Sequence, residues 1–192
     1  MESKSIKKIV LFASGSGTNV ERIIHFFSDE PLIQVLKVFT NNPKAGVIER
    51  AETLNIPSVL FDKTELSNGQ LLAQLQSLTP DLIVLAGFLL KIPSEFVKTF
   101  NGKIINIHPS LLPKYGGKGM YGHNVHQAVK DAGDKETGIT IHYVNEHYDK
   151  GSIIFQSKVS VDQHDSIEEI ARKVHKLEYQ YYSEVIQKLL IS

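Results

Sequence analysis

The sequence predicts an α/β fold: a mostly parallel central sheet with helices on both faces and an antiparallel strand pair towards the C-terminus. Three observations predict it. Continuous apolar runs, Ile9-Val10-Leu11-Phe12 within residues 6–13 and the stretch 82–86, read as strands buried on both faces, as parallel strands are. Segments with helical apolar spacing alternate with strand-like ones in the order β-α-β-α-β-α-β, the mark of right-handed crossovers. Two late strand-like segments, 137–145 and 153–161, flank a polar turn at 147–151 and read as an antiparallel pair.

In the first strand, Ile9, Val10, Leu11 and Phe12 form the apolar run. Ser14-Gly15-Ser16-Gly17-Thr18-Asn19 follows, and then Val20, Ile23, Ile24 and Phe27 at helical spacing. Strand, small-residue loop and helix together aim main-chain N–H groups and a helix N-terminus at a phosphate, and Ser16, Thr18 and Asn19 add side-chain donors. The loop has neither GxGxxG spacing nor a P-loop Lys, so it suits one phosphate group rather than a dinucleotide or triphosphate. A plain turn with a helix cap has the same composition.

Residues 32–41 predict a second strand, ended by Asn41-Asn42-Pro43, and residues 45–54 a helix. Residues 56–61 predict a short strand. Asp62-Lys63-Thr64 leads to a polar turn at Ser67-Asn68-Gly69, followed by a helix over 70–78 and the most hydrophobic strand, 82–86. Ligands of such sheets sit beyond the carboxyl ends of the strands. That rule sets the loop at 14–19, Gly87-Phe88-Leu89-Leu90, and Asn106 with His108 along one rim.

Asn106 and His108 end the next apolar run, within Asn106-Ile107-His108-Pro109-Ser110-Leu111-Leu112-Pro113. Two residues apart on an extended backbone, both side chains leave from one face. One is a carboxamide donor and the other an imidazole that can carry charge near neutral pH, a pair suited to stabilising a developing oxyanion. Taken alone, the pair also fits a structural His and a turn-forming Asn. Four glycines within 116–122 predict a tight or mobile loop, residues 123–132 a helix, and residues 137–145 a half-exposed strand. Asp165-Ser166 caps a final helix over 167–190, with Ile170, Val174, Leu177, Tyr181, Val185 and Leu189 as its core face. His123 and His126 share a helix face, but no carboxylate completes a familiar ligand set, so no metal is expected.

Composition narrows the function classes. The 192 residues suit one domain. Lys plus Arg and Asp plus Glu number 21 each, so no basic excess argues for nucleic acid. The absence of Cys excludes a disulfide scaffold and a thiolate nucleophile and fits a cytoplasmic protein. No signal-peptide or membrane-spanning run is present.

Asn106-x-His108-Pro109-Ser110-Leu111-Leu112-Pro113 together with Asp149 resembles the core motif of the formyltetrahydrofolate-dependent formyltransferases. The resemblance runs from about residue 6 to 190 and is closest at Leu85-Ala86-Gly87-Phe88 and over residues 106–115. Within the family, the loop Ser14-Gly15-Ser16-Gly17-Thr18-Asn19 resembles that of members acting on glycinamide ribonucleotide. The chain's length and start also lack the extra domains of the tRNA-directed and deformylase members.

The resemblance implies a Rossmann-like formyltransferase domain over residues 1–192, with a phosphate-binding half at 1–100 and a catalytic and folate-binding half at 101–192. It implies transfer of formyl from 10-formyltetrahydrofolate, a co-substrate, to the amine of the ribonucleotide in purine synthesis. Asn106, His108 and Asp149 are then catalytic. Gly15, Ser16, Gly17, Thr18, Asn19 and Glu178 bind the acceptor. Lys63, Leu89, Leu90, Lys91, Ile92 and Asn106 bind the folate, and the bond before Pro113 is cis. Partners are small molecules, with no nucleic acid or membrane, and the protein is a monomer or homodimer. Two departures stand out: the loop at 116–122 is longer and richer in Gly than is usual in the family, and Leu90 stands where relatives often carry a basic residue. The alternatives are a formyltransferase for an amino sugar nucleotide, which needs a larger donor pocket, and a non-catalytic phosphometabolite-binding module, which has no use for the Asn/His/Asp triplet.

Overall fold

The computed structural model describes residues 5–191; Met1–Lys4 and Ser192, which the expected domain included, lie outside the described residues. The chain forms two compact units, one up to residue 105 together with the stretch from residue 183, the other residues 106–182.

The first unit holds β1 (Lys7–Phe12), α1 (Thr18–Phe27), β2 (Ile33–Thr40), α2 (Val47–Thr53), β3 (Ser58–Leu60), α3 (Lys63–Ser67), α4 (Gln70–Leu78), β4 (Leu82–Leu85) and α5 (Ser94–Thr99). The strand order is β3-β2-β1-β4, followed by β5 (Ile104–His108), whose first two residues belong to this unit. β1 pairs in parallel with both β2 and β4, and β2 with β3. The predicted β-α-β-α-β-α-β order is observed through β4, with one helix, α3, added before α4.

The last four residues of β1 and all of β4 are buried, as the continuous apolar runs require. Phe12 stacks on Phe39 at 4.9 Å and meets Phe61 and Phe88 edge-on. Removing rings of this size from water contributes roughly 2–3 kcal/mol each, which anchors the ends of β1 and β2 beside the loops that follow them.

Two helices were not expected here. α3 occupies the stretch read as leading into a polar turn, because Asp62 and Glu65 form a reciprocal capping box that satisfies the first N–H groups of a very short helix. α5 follows Pro93, an extended residue, and buries Phe96.

The second unit holds the last three residues of β5, α6 (His123–Asp131), β6 (Glu136–Tyr143), β7 (Ile153–Ser160) and the first part of α7 (Ile167–Ile191). The strand order is β5-β6-β7, and β6 and β7 run antiparallel, as expected. β6 departs from the half-exposed reading: Thr137–His142 are all buried, because β6 lies between two strands with both faces covered. β7, at the sheet edge, alternates between exposed and part-buried instead.

α7 begins with a capping box, Ser166 Oγ accepting from Glu169 N while Glu169 accepts from Ser166 N. Its buried face is rotated from the expected one. Ile170, Val174, Tyr182, Val185 and Ile186 are buried, whereas Leu177 and Tyr181 are half-buried and Leu189 is exposed. The ridge advances four residues at a time and places Glu178 in the apolar stripe, where a hydropathy reading does not look for a carboxylate. No described helix is long and apolar enough to cross a membrane.

Candidate active site

The site in the second unit starts at a turn. β5 ends at His108, and the chain reverses through Pro109 to Pro113 with a cis Leu112–Pro113 bond. Thr140 of β6 holds this turn. Its hydroxyl donates to Ser110 O at 2.6 Å and accepts from Leu112 N at 3.0 Å. Gln156 Nε2 bridges Thr140 Oγ1 and Leu112 O, and Ser110 Oγ donates to Lys114 O. Each of these groups has a partner, which favours one arrangement of the turn.

Thr140 and His142 are two apart on β6, so both side chains leave from the face turned to the β5 end. His142 Nδ1 lies 2.8 Å from Tyr143 O and His142 Nε2 lies 3.2 Å from Asn106 Nδ2. A carbonyl only accepts, so Nδ1 carries the ring proton and Nε2 accepts from the Asn106 amide. The second amide N–H of Asn106 stands outside this bond. Asp149 approaches from the β6–β7 turn in a left-handed conformation, φ 53°, with Oδ2 accepting from Gly117 N at 2.8 Å. Its two oxygens stand 3.6 Å from His108 Nδ1 and 3.7 Å from His142 Nε2. At Gly151, two residues on, a Cβ would overlap Tyr143 O, so only Gly lets the turn return close enough to place Asp149 here.

His108 is buried, and its Nε2 donates to Tyr115 O at 2.7 Å. That commits a proton to Nε2 and leaves Nδ1, beside Asp149, as the nitrogen that gains or loses one. Burial lowers the His108 pKa below its ordinary value, outweighing Asp149, Tyr115 O and Glu178, which all raise it. Asp149 favours the charged ring and opposes the effect of burial without overcoming it. Asp149 itself is held below the usual carboxylate range: burial pushes up, but His142, His108 and Gly117 N together pull further down. Glu178, buried in α7, accepts from His175 Nδ1 at 3.0 Å.

The second unit therefore gathers Asn106, His108 and Asp149 around His142, a residue the motif reading omitted. Its signal was the two-residue spacing from Thr140 on a strand. Among the described residues, no group of three or more His, Asp or Glu side chains is placed to hold a metal ion; His123 and His126 both lie on α6.

The first unit presents the loop after β1. Gly15 and Ser16 are exposed, Thr18 and Asn19 half-buried, and Thr18 opens α1 behind Gly17 in a left-handed conformation with no side-chain cap. Ser14, absent from the expected site, organises the surroundings. Its hydroxyl donates to Asn41 Oδ1 at 2.7 Å and accepts from Leu89 N at 3.0 Å, and Ser14 O accepts from Asn42 Nδ2. One buried serine so ties the loop after β1 to the ends of β2 and β4.

Of the residues expected to meet folate in this unit, Leu89 and Lys91 are exposed, Leu90 is half-buried and Ile92 is buried. Lys63 is exposed at the start of α3.

The family described as Formyl transferase matches residues 7–186. A Bacillus subtilis protein named phosphoribosylglycinamide formyltransferase is 40% identical over 191 residues, covering 96% of this chain and 95% of the relative. A chloroplastic protein of that name from Arabidopsis thaliana is 41% identical, and this chain spans 64% of its length. The crystal structure of glycinamide ribonucleotide transformylase 1 from Geobacillus kaustophilus superposes with a TM-score of 0.88 at 34% identity, covering 96% of this chain and 99% of that one. The chain belongs to the formyl transferase family.

Proposed function

We propose that this protein transfers the formyl group of 10-formyltetrahydrofolate to the amine of phosphoribosylglycinamide, the formyl-transfer step of purine biosynthesis. The observation that carries the reading is the convergence of Asn106, His108 and Asp149 around His142. The near full-length Bacillus subtilis relative supports the acceptor.

The folate supplies a formyl group whose carbonyl oxygen gains negative charge when the acceptor amine adds to the carbon. Asn106 offers that oxygen its free amide N–H, and His108 offers a proton on Nδ1. Donors held in place before charge develops typically contribute two to three orders of magnitude each. Burial makes the ring readier to lose its Nδ1 proton, and the negative charge that develops on the formyl oxygen opposite it works the other way, favouring the protonated ring. Asp149, kept ionised, takes the proton released by the amine and passes it towards the leaving nitrogen. No protein nucleophile is needed.

Gly15, Ser16, Gly17, Thr18 and Asn19 hold the acceptor phosphate, and Glu178 contacts its glycinamide portion. Residues 89–92 meet the pterin through main-chain groups, with Lys63 and Lys91 as the nearby cations. Residues 1–192 act as one formyltransferase domain, in the cytoplasm, as a monomer or homodimer.

The test is a formyl-transfer assay following loss of 10-formyltetrahydrofolate with and without the ribonucleotide. Loss that depends on the ribonucleotide is the expected result. Loss without it would make the protein a hydrolase of the donor, and no loss in folded protein would refute the acceptor assignment.

A further inference from the structure

The loop at 15–19 is braced from behind by α2. Arg50 Nε donates to Ser16 O at 2.9 Å, and Val47 N donates to Gly15 O at 3.2 Å. In a trans peptide the C=O of one residue and the N–H of the next point in opposite directions. Directing Ser16 O at Arg50 therefore turns Gly17 N–H away from α2, and directing Gly15 O at Val47 does the same for Ser16 N–H. At Gly17, with φ 78°, a Cβ would stand 2.5 Å from Val47 Cγ2, so only Gly lets the loop lie this close against α2.

The second end of the Arg50 fork pairs with Glu21, which closes the first turn of α1 and whose N–H donates to Gly17 O at 2.9 Å. An acidic residue there favours the helix, but it also sets a negative charge where an anion is to be held. Arg50 cancels that charge while aiming the loop.

We infer that Arg50 is a positioning residue for the acceptor phosphate, acting by turning the Gly17 N–H outward and by neutralising Glu21. The inference rests on the reading of residues 15–19 as the phosphate loop. It predicts that the cation is dispensable once Glu21 is neutral, which a purely architectural ion pair does not.

The experiment measures KM and kcat for the phosphorylated acceptor, and for the same acceptor with its phosphate removed, in wild type, Arg50→Met, Glu21→Gln and the double variant. Arg50→Met is expected to raise KM for the phosphorylated acceptor about tenfold, the scale of one uncancelled charge near a surface anion, with kcat within about twofold. The double variant is expected to regain the charge part of that loss, leaving KM about threefold above wild type for want of the Nε bond. Unchanged KM, or an equal rise for both acceptors, overturns the positioning role. No recovery in the double variant overturns the charge cancellation. Wild type that handles both acceptors alike overturns the phosphate loop itself, and that arm involves no variant. Should Arg50→Met fail to fold, Arg50→Lys keeps the cation and gives up the Nε bond; an expected rise in KM of about threefold supports the role, and none refutes it.

Discussion

His142 Nε2 accepts a hydrogen bond from Asn106 Nδ2 at 3.2 Å, so the orientation of the Asn106 carboxamide is set by a ring anchored on Tyr143 O. Asn106 can offer a substrate only the N–H that His142 leaves. Replacing His142 by Leu frees the amide to rotate, and kcat is expected to fall by one to two orders of magnitude with acceptor KM within about threefold. Steady-state kinetics decide it: a kcat near wild type would mean that something else holds the amide.

His108 titrates below its ordinary value because burial outweighs Asp149. Asp149→Asn removes the largest of the contributions that raise this pKa, so its midpoint is expected to move lower still. NMR titration of the His108 ring reads both states, and an upward shift would refute the stated balance. The Asp149→Asn variant is also expected to lose two to three orders of magnitude in kcat.

His126 is buried, its Nδ1 has no hydrogen-bond partner, and its pKa is lowered from 6.5 to about 4, first by burial and then by His175. A base with a depressed folded pKa contributes stability in full above its unfolded value, and that contribution drains away as pH falls from about 6.5 through about 4. The difference corresponds to about 3 kcal/mol. His126→Leu is expected to flatten the loss of stability across this range in urea melts at successive pH values. A slope unchanged from wild type would place the acid sensitivity elsewhere.

Thr140→Val keeps the shape of the side chain and deletes the hydroxyl that serves Ser110 O, Leu112 N and Gln156. Leaving Ser110 O and Leu112 N buried without this partner costs about 1–3 kcal/mol each. The variant is expected to melt at least 5 °C lower and to lose turnover in proportion to the displacement of His108. A melting temperature within 1 °C of wild type would show that water fills the knot.

The parts legible in the sequence were those with a local signal. The apolar runs before Ser14 and before Asn106 marked two strands whose ends carry polar groups, and the Asn106–His108 spacing gave a shared face. The α3 helix was hidden because five residues show no periodicity, although Asp62 and Glu65 had the spacing of a capping box. β6 misled because Thr137, Thr140 and His142 are polar yet buried, satisfied by partners distant in sequence or, for Thr137 Oγ1, by none. Ser14 and His142 act through side chains brought together only by the sheet, and the α7 face turned because Glu178 occupies an apolar ridge. None of these last three leaves a trace in hydropathy.

His108 Nε2 is held by the main chain of Tyr115, while the Tyr115 side chain turns away to Asp134 at 2.9 Å. A carbonyl oxygen cannot be substituted. The clamp on the ring is therefore indifferent to the identity of residue 115, provided the residue tolerates φ 55°. Gly or Asn should serve there almost as well as Tyr, whereas an insertion of a single residue between Pro113 and Gly116 would release the ring. The position is free to drift in letter and fixed in length, so its importance is recorded in the spacing of the chain rather than in the residue it carries.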